Sequence, residues 1–177
     1  TRENLDSRDV VGLNISAPLN LAKWWSVYTN VNLNYIRNQG NFNREGETGK
    51  DINLDAVRFS IFQQQTFNLA KGWAIELSGN YSSPGIWGAN YLSQDFWMVN
   101  TGIQKRFLDN RAVLKLALSD IFDSGQWGGR QEFGALVSEA MGGWQSREIR
   151  LNFSYRFGNQ KVKQVRKRKT GLEEESK

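Results

Sequence analysis

The residue types that most often carry out enzyme chemistry are scarce in this chain. Its 177 residues include no His and no Cys, which excludes imidazole and thiolate metal ligands, nucleophile pairs built on either residue, and disulfide bonds. Carboxylates remain, and those in the long polar segments are candidates for a metal site or a carboxylate pair: Glu45, Glu47, Asp51, Asp120, Asp123, Glu132 and Glu139. None falls in a ligand-spaced motif. We therefore expect solvated loop residues, no enzyme activity, no catalytic residue, and no metal or cofactor.

Three tryptophans in glycine-rich polar segments are the other candidates for binding chemistry. Trp87, Trp127 and Trp144 lie in or near the runs SPGIWG, GQWGGR and MGGWQ. The last two lack the strand-to-helix context of a phosphate-binding loop, so we expect their glycines to punctuate loops or to contact a ligand. Indole rings in such loops either stack on a ligand or pin the loops against one another. Both alternatives remain open.

Seven runs of alternating apolar and polar residues follow one another along the chain. In the first, Val11, Leu13 and Ile15 alternate with Gly12 and Asn14. The others lie at about residues 25–35, 55–67, 73–81, 97–104, 114–119 and 149–157. A period of two indicates β-strands with one apolar face.

The third run departs from this pattern. Gln63 and Gln65 occupy positions of its apolar phase. They predict either a β-bulge or a weakly apolar stretch of the strand.

Short and long connections alternate between the runs. Short links lie near residues 21–23, 69–72 and 108–110, and long polar links near 37–54, 82–95 and 122–145. Short turns on one side and long loops on the other are typical of an outer-membrane barrel, and strands of about ten residues match a tilted membrane span. The pattern predicts an all-β protein with an antiparallel, up-and-down transmembrane β-barrel. A soluble β-sandwich is the alternative, because it alternates in the same way.

Aromatic residues collect at both ends of the apolar phase, where amphipathic rings favour the lipid headgroup zone. We predict an aromatic girdle made of Trp24, Trp25, Phe67, Trp73 and Phe107 at the short-turn end and of Tyr35, Tyr81 and Trp97 toward the long loops. The short turns are then periplasmic. A soluble sandwich does not require such belts.

The polar phase is predicted to line a hydrated wall inside the barrel. Its members are Asn14, Asn30, Asn32, Asn34, Arg58, Glu76, Asn80, Gln104, Lys115, Arg150 and Asn152. These groups can hydrogen-bond water, a plug or a solute without the desolvation cost that they would meet in lipid.

Seven is an odd number of strands, whereas a bacterial single-chain barrel normally has an even number. Free strand edges in hydrocarbon cost several kcal/mol for each unpaired group. The chain also starts at Thr1 without an initiator Met or a signal segment. We therefore expect residues 1–160 to be the C-terminal strands of a larger barrel.

The excess of positive charge is concentrated at the end of the sequence. Residues 161–177 contain seven basic and three acidic side chains, which account for nearly all of the net charge of +5. They predict a disordered periplasmic tail that contacts anionic headgroups or a periplasmic partner. The basic cluster VKQVRKRK has no interleaved aromatic residue, so we expect no nucleic-acid binding.

Three segments carry a family resemblance: IRLNFSYRFGNQ with its basic then acidic extension, LKLALSDIFDSGQW, and FNLAKGWAIELSGNYSSPGIWG. Together they resemble the C-terminal strands of the Bacteroidota outer-membrane β-barrel family related to TonB-dependent receptors. The resemblance covers nearly the whole chain from about Val10. It implies an outer-membrane barrel of about 22 strands, with a plug domain upstream, that takes up a ligand with energy from the TonB system.

The same resemblance leaves a second function open. The chain contains no plug and no TonB-contacting box, so a structural subunit of an outer-membrane complex is the alternative to a transporter. The implied partners are outer-membrane lipid, the barrel assembly machinery, the TonB system through an absent plug, and other outer-membrane or periplasmic proteins.

The last strand resembles the signal by which outer-membrane barrels are recognised for insertion. Its residues are Ile149, Leu151, Phe153, Tyr155 and Phe157. They are equally suited to be the lipid-facing residues of one more strand, and the two roles are compatible.

Overall fold

A computed structural model describes residues 5–42 and 51–158. The predicted tail, residues 161–177, and the candidate carboxylates Glu45 and Glu47 lie outside the described residues. Within those ranges the chain forms the strands β1 (Ser7–Ala22), β2 (Trp25–Asn41), β3 (Asp51–Asn68), β4 (Trp73–Ser82), β5 (Gly85–Trp87), β6 (Tyr91–Ser93), β7 (Phe96–Phe107), β8 (Ala112–Ser119), β9 (Gln126–Phe133), β10 (Leu136–Gly143) and β11 (Glu148–Tyr155). A 3-10 turn, Ala70–Gly72, joins β3 to β4.

Seven of these strands form one antiparallel sheet, which we call the main sheet. Its order is β1-β2-β3-β4-β7-β8-β11, so the seven alternating runs and the all-β antiparallel fold are confirmed. The described strands do not close into a barrel, and β1 and β11 are the two edges of the sheet. No described helix is long and apolar enough to cross a membrane.

The strand register places the apolar phase on one face of the main sheet. Leu13 lies opposite Leu33, and Leu33 lies opposite Phe59 on the next strand. At the other edge Leu151 pairs with Leu116, which pairs with Ile103. Leu13 is 58% exposed and Leu151 is 66% exposed, so no other described element covers these parts of the apolar face.

The third run contains no bulge. Gln63 lies opposite Thr29 on β2 and Gly79 on β4, and the pairing continues without a shift on both sides. The bulge alternative is therefore wrong, and both glutamines belong to the apolar face. The main sheet has a register shift between Asn20 and Ala22 instead.

The alternation of β2 and β3 inverts toward the long-loop end. Past Tyr35, the phase of the apolar face carries Arg37, which pairs with Asp55. The opposite phase becomes apolar there, and Ile36 and Ile52 are each only 7% exposed. The predicted link 37–54 was too long because β2 and β3 extend into it. Their apolar side chains change faces there, so the alternation no longer marks the strands.

The two other predicted long loops are largely folded into a second sheet. Strands from segments 82–95 and 122–145 form a four-stranded antiparallel sheet in the order β10-β9-β6-β5, which we call the small sheet. The sequence did not predict strands in these long links, because β5 and β6 have only three residues each and β9 and β10 each contain a pair of glycines.

The small sheet is attached to the polar side of β2 and β3. The side chain of Asn38, fully buried on β2, donates hydrogen bonds to the carbonyls of Gly88 and Ala89 at 2.9 and 2.7 Å. Gly85 of β5 lies against Arg58 of β3, where a Cβ atom would approach the arginine side chain to 3.0 Å. These contacts fix the position of the small sheet over the end of the polar face.

Candidate functional site

A pocket of about 400 Å³ lies between the small sheet and the main sheet at the long-loop end. The residues that give it its chemical character are Arg58, Trp87, Tyr91, Asp95, Trp127 and Trp144. They come from both sheets and their connections. We call this space the aromatic pocket.

The three loop tryptophans meet in the aromatic pocket although they are far apart in sequence. Trp87, Trp127 and Trp144 are 59%, 46% and 53% exposed, so much of each indole remains available to a ligand. Trp144 also stacks on Phe96 with ring centroids 6.0 Å apart. The exposed rings are therefore able to stack on a ligand. Trp144 in addition holds the connection after β10 against β7.

Glycines of the small sheet make room for these rings. A Cβ atom on Gly142 would lie 2.7 Å from the indole of Trp127, and one on Gly129 would lie 2.5 Å from the ring of Tyr91. The expectation that these glycines punctuate loops was wrong, because both lie inside strands. Their role is to let aromatic side chains lie flat against the backbone.

The pocket is lined by one positively charged and one negatively charged side chain. The guanidinium carbon of Arg58 lies 5.7 Å from the centroid of Trp87, a cation–π distance. Asp95 lies at the exposed side of the pocket. Within the described residues neither Arg58 nor Asp95 forms an ion pair or a side-chain hydrogen bond, so both are available to a ligand. Stacking surfaces with a few convergent polar groups are typical of small-molecule sites.

Asp120 is the exception among the candidate carboxylates, which we expected to be solvated. It is fully buried at the end of β8. Its carboxylate accepts hydrogen bonds from the backbone N–H groups of Ser124 and Gly125 at 2.9 and 2.8 Å, from the Ser124 hydroxyl at 3.0 Å, and from the Ser146 hydroxyl. The prediction was wrong because these partners include a residue 26 positions away. Asp120 thus ties the start of the β9–β10 hairpin to its end.

The hydrogen bonds to Asp120 also change its acidity. Burial raises the pKa of this carboxyl, but the hydrogen bonds from Ser146, Ser124 and Gly125 outweigh burial and lower the pKa to about 2. Asp51, Asp123, Glu132 and Glu139 are exposed. Among the described residues there is no group of three carboxylates placed to hold a metal ion.

The polar phase lies on the face of the main sheet opposite the apolar one. Asn32 accepts a hydrogen bond from Asn14 and donates one to Asn30 at 2.8 Å. Farther along the sheet, the Lys115 ammonium bonds the Glu76 carboxylate at 2.6 Å. The polar face thus carries hydrogen-bonded side chains, and Arg58 of the same phase lines the aromatic pocket.

Seven of the eight predicted girdle residues lie at or next to the ends of their strands. Trp24, Trp25 and Phe67 form a stacked cluster near the β1–β2 turn, with centroids 5.8 to 6.2 Å apart. Toward the long loops, Tyr81 lies directly opposite Trp97. Trp73 and Phe107 also lie at strand ends on the apolar phase, whereas Tyr35 lies inside β2, six residues before its end. Their contact with lipid headgroups stays a prediction.

The proposed assembly signal lies along the edge strand β11 and just beyond it. Ile149, Leu151, Phe153 and Tyr155 pair with β8 in one phase. Phe157 follows the strand, is 84% exposed, and packs edge-on against Tyr155 with centroids 4.6 Å apart.

Replacing Tyr155 and Phe157 by Asp together should lower the amount of protein in the outer membrane several-fold. The change removes the aromatic end of the proposed signal, and immunoblots of outer-membrane fractions measure the result. Arg156→Asp is the matched control, because it alters charge on the opposite phase. Equal amounts of the double variant and the control would contradict the signal role.

A comparison with models of known protein families agrees with the antiparallel β-sheet. The model of the outer membrane protein beta-barrel family matches residues 1–155. The chain belongs to this family, which indicates the outer membrane as its location. No curated protein and no solved structure gave a significant match.

Proposed function

We propose that this chain is part of an outer-membrane β-barrel that takes up a ligand, and that the aromatic pocket binds this ligand on the extracellular side. The observation that carries the proposal is the convergence of Trp87, Trp127 and Trp144 with Arg58 and Asp95 around one space of about 400 Å³. Solvent-exposed indole rings are costly to leave bare, and a stacked ligand compensates this cost.

The position of the pocket supports a role in uptake. It lies at the long-loop end, which is extracellular in barrels of this type, and on the polar side of the main sheet. Below it, the polar face offers a wetted path past Asn34, Glu76 and Lys115. A solute released from the pocket thus meets hydrogen-bonding groups along the inner wall.

The two open edges of the main sheet support a larger barrel. β1 presents 16 residues and β11 presents eight, and neither edge is paired among the described strands. Unpaired backbone groups are not tolerated in hydrocarbon, so further strands cover both edges in the membrane. The family resemblance supports about 22 strands, a plug upstream, and energy from the TonB system.

The test compares uptake by cells that carry the wild-type gene, a deletion, or variants of the full-length protein. Cells grow on defined media in which a peptide, an oligosaccharide or an iron chelate is the limiting nutrient, and the deletion strain identifies the nutrient that depends on the protein. Trp87→Ala with Trp127→Ala should then lower the uptake rate about tenfold, since each stacked ring contributes roughly 0.5–1.5 kcal/mol.

Trp24→Ala is the matched control for that double variant. It removes an exposed indole at the opposite end of the sheet and should leave uptake within about twofold of wild type. If the deletion affects no nutrient, or if the Trp24 variant is as defective as the pocket variants, the proposed uptake function is wrong.

A structural subunit of an outer-membrane complex is the second candidate function. It is favoured by β10, an edge strand of the small sheet on which Leu136 is 68% exposed and Met141 is 77% exposed. Apolar side chains on an exposed edge suit a protein partner. A deletion that leaves all uptake intact but releases other proteins from an outer-membrane complex would support this function.

A further inference from the structure

Gln63 places an amide near the middle of the apolar face. On β3, six positions of that face lie between Asp55 and the turn that starts at Leu69, and Gln63 is the third from the turn. The register continues from Gln63 to Thr29 and Ala17 on one side and to Gly79 on the other. A row of small and polar residues therefore crosses the apolar face.

The amide group in this row is only partly satisfied within the described part of the chain, whereas that of Gln65, the next residue of the same face, has a partner. Gln63 donates one long hydrogen bond, 3.4 Å, to the Thr29 hydroxyl, and no bond to its carbonyl oxygen is present. Gln65 accepts a hydrogen bond from the Trp25 indole at 2.6 Å. In hydrocarbon an unsatisfied amide costs several kcal/mol, so an occupant with hydrogen-bonding groups is expected.

A depression lies beside the glutamines on the apolar face. Its volume is about 470 Å³, and Gly79 forms its floor between Leu77 and Tyr81, with Val99 on the next strand. On the other side of β3, β2 carries the larger side chains Val31 and Leu33, one and two positions of the same face beyond Thr29 toward the long loops, and Leu33 is 43% exposed. The patch around Gln63 thus has a ridge on the β2 side and a hollow on the β4 side.

These features indicate what covers the patch around Gln63. A lipid acyl chain has no hydrogen-bonding group at the middle of the bilayer, so lipid leaves the Gln63 amide unsatisfied. A second copy of the same protein, related by a two-fold axis along the membrane normal, places its own Gln63 at the same depth. An amide both donates and accepts, so two glutamines satisfy each other. The same axis brings the ridge of each copy opposite the hollow of the other.

We propose that the outward patch around Gln63 is a site of self-association in the membrane, where two copies pair through Gln63 and pack Val31 and Leu33 into the hollow at Gly79. The proposal rests on the apolar face lying against the bilayer and is independent of what the barrel takes up. Small residues that allow close approach, together with polar side chains that bond across the contact, are the features that hold membrane segments together.

Cysteine cross-linking in native outer membranes tests this pairing. The chain contains no Cys, so single cysteines can be placed in the full-length protein after any others are removed. Ile61→Cys lies next to Gln63 on the same face of β3, and Leu116→Cys lies on the same face of β8. A short membrane-permeant bismaleimide should give a covalent dimer with Ile61→Cys and at most a trace with Leu116→Cys.

A second variant asks whether the amide causes the pairing. Adding Gln63→Leu to Ile61→Cys should lower the dimer yield about sevenfold, the effect expected for losing two hydrogen bonds of average strength in a membrane. The leucine is favourable in lipid, so outer-membrane levels and heat-modifiable migration should not fall. Equal cross-linking at positions 61 and 116, no effect of Gln63→Leu, or a product of a size other than twice the monomer would overturn the proposal.

Discussion

Ile15→Arg is expected to destabilise the membrane-inserted protein by about 2–4 kcal/mol, the cost of a charged side chain on the lipid face near the middle of a bilayer. Ile15 is 52% exposed and lies in the middle of the apolar phase of β1. The arginine has no partner there, since Ile15 pairs with Val31. The folded fraction of the full-length protein in outer-membrane extracts, measured by heat-modifiable migration over a urea series, gives the free energy of unfolding.

Ser16→Arg is the matched control, because Ser16 is the next residue of the same strand and points to the polar face. It accepts one exposed hydrogen bond, from Asn30 at 2.8 Å, and an arginine there is surrounded by amides and water. We expect a change of less than about 1 kcal/mol. If both variants behave alike, the apolar face does not lie against lipid, and the soluble sandwich regains support.

Asp120→Asn is expected to open the connection between β8 and β9. Asn, like Asp, tolerates the positive φ of 46° at this position. Its NH₂ group, however, faces N–H and O–H groups whose hydrogen bonds the carboxylate of Asp120 accepts. Leaving buried donors unsatisfied should raise the rate of trypsin cleavage after Arg130 and Arg147 on the order of tenfold. Purified full-length protein in detergent, sampled over time and analysed by mass spectrometry, provides the rates.

Asp123→Asn is the control for this variant. Asp123 also has a positive φ, 56°, but its carboxylate is exposed and makes only a 3.9 Å ion pair with Arg147. Exposed pairs contribute little, so cleavage should remain near the wild-type rate. Equal cleavage of the two variants would contradict the structural role of Asp120.

The lowered pKa of Asp120 gives the same connection a defined response to acid. Because the folded value of about 2 lies below the ordinary 3.8, the carboxylate stabilises the fold above about pH 4 and loses this effect as the pH falls toward 2. Pepsin cleavage near Phe122 and Trp127 should therefore stay slow at pH 4 and accelerate toward pH 2. The Asp120→Asn protein should show fast cleavage throughout this range.

The main sheet could be predicted from the sequence because its strands are long and each has one apolar face. Ten or more alternating residues, as in β2 and β4, fit the period of a β-strand and not that of a helix. The small sheet could not be predicted, since three residues such as Gly85–Trp87 carry no periodicity. Its strands exist because β9 supplies hydrogen bonds to β6, and that pairing joins residues about 40 positions apart.

The aromatic pocket was only partly predictable. Trp87, Trp127 and Trp144 stood out as large rings in polar segments, but nothing in their spacing indicated that they meet. Arg58 was assigned to the polar wall, and only the packing of Gly85 against it brings it into the pocket. Asp120 was missed for the same reason, because its burial depends on Ser146, which the sequence places in a different segment.

Because the alternation inverts between Tyr35 and Ile36, β2 and β3 are built for two different environments along their length. Below this point β2 and β3 turn their apolar side chains outward, as a membrane span does, and above it they turn them inward, as a water-soluble domain does. The inversion falls between two adjacent residues, so we predict the hydrocarbon boundary at this point. A single inserted residue at this position would move every side chain beyond it to the other face, so the long-loop half would lose its core while the apolar face below it stayed unchanged.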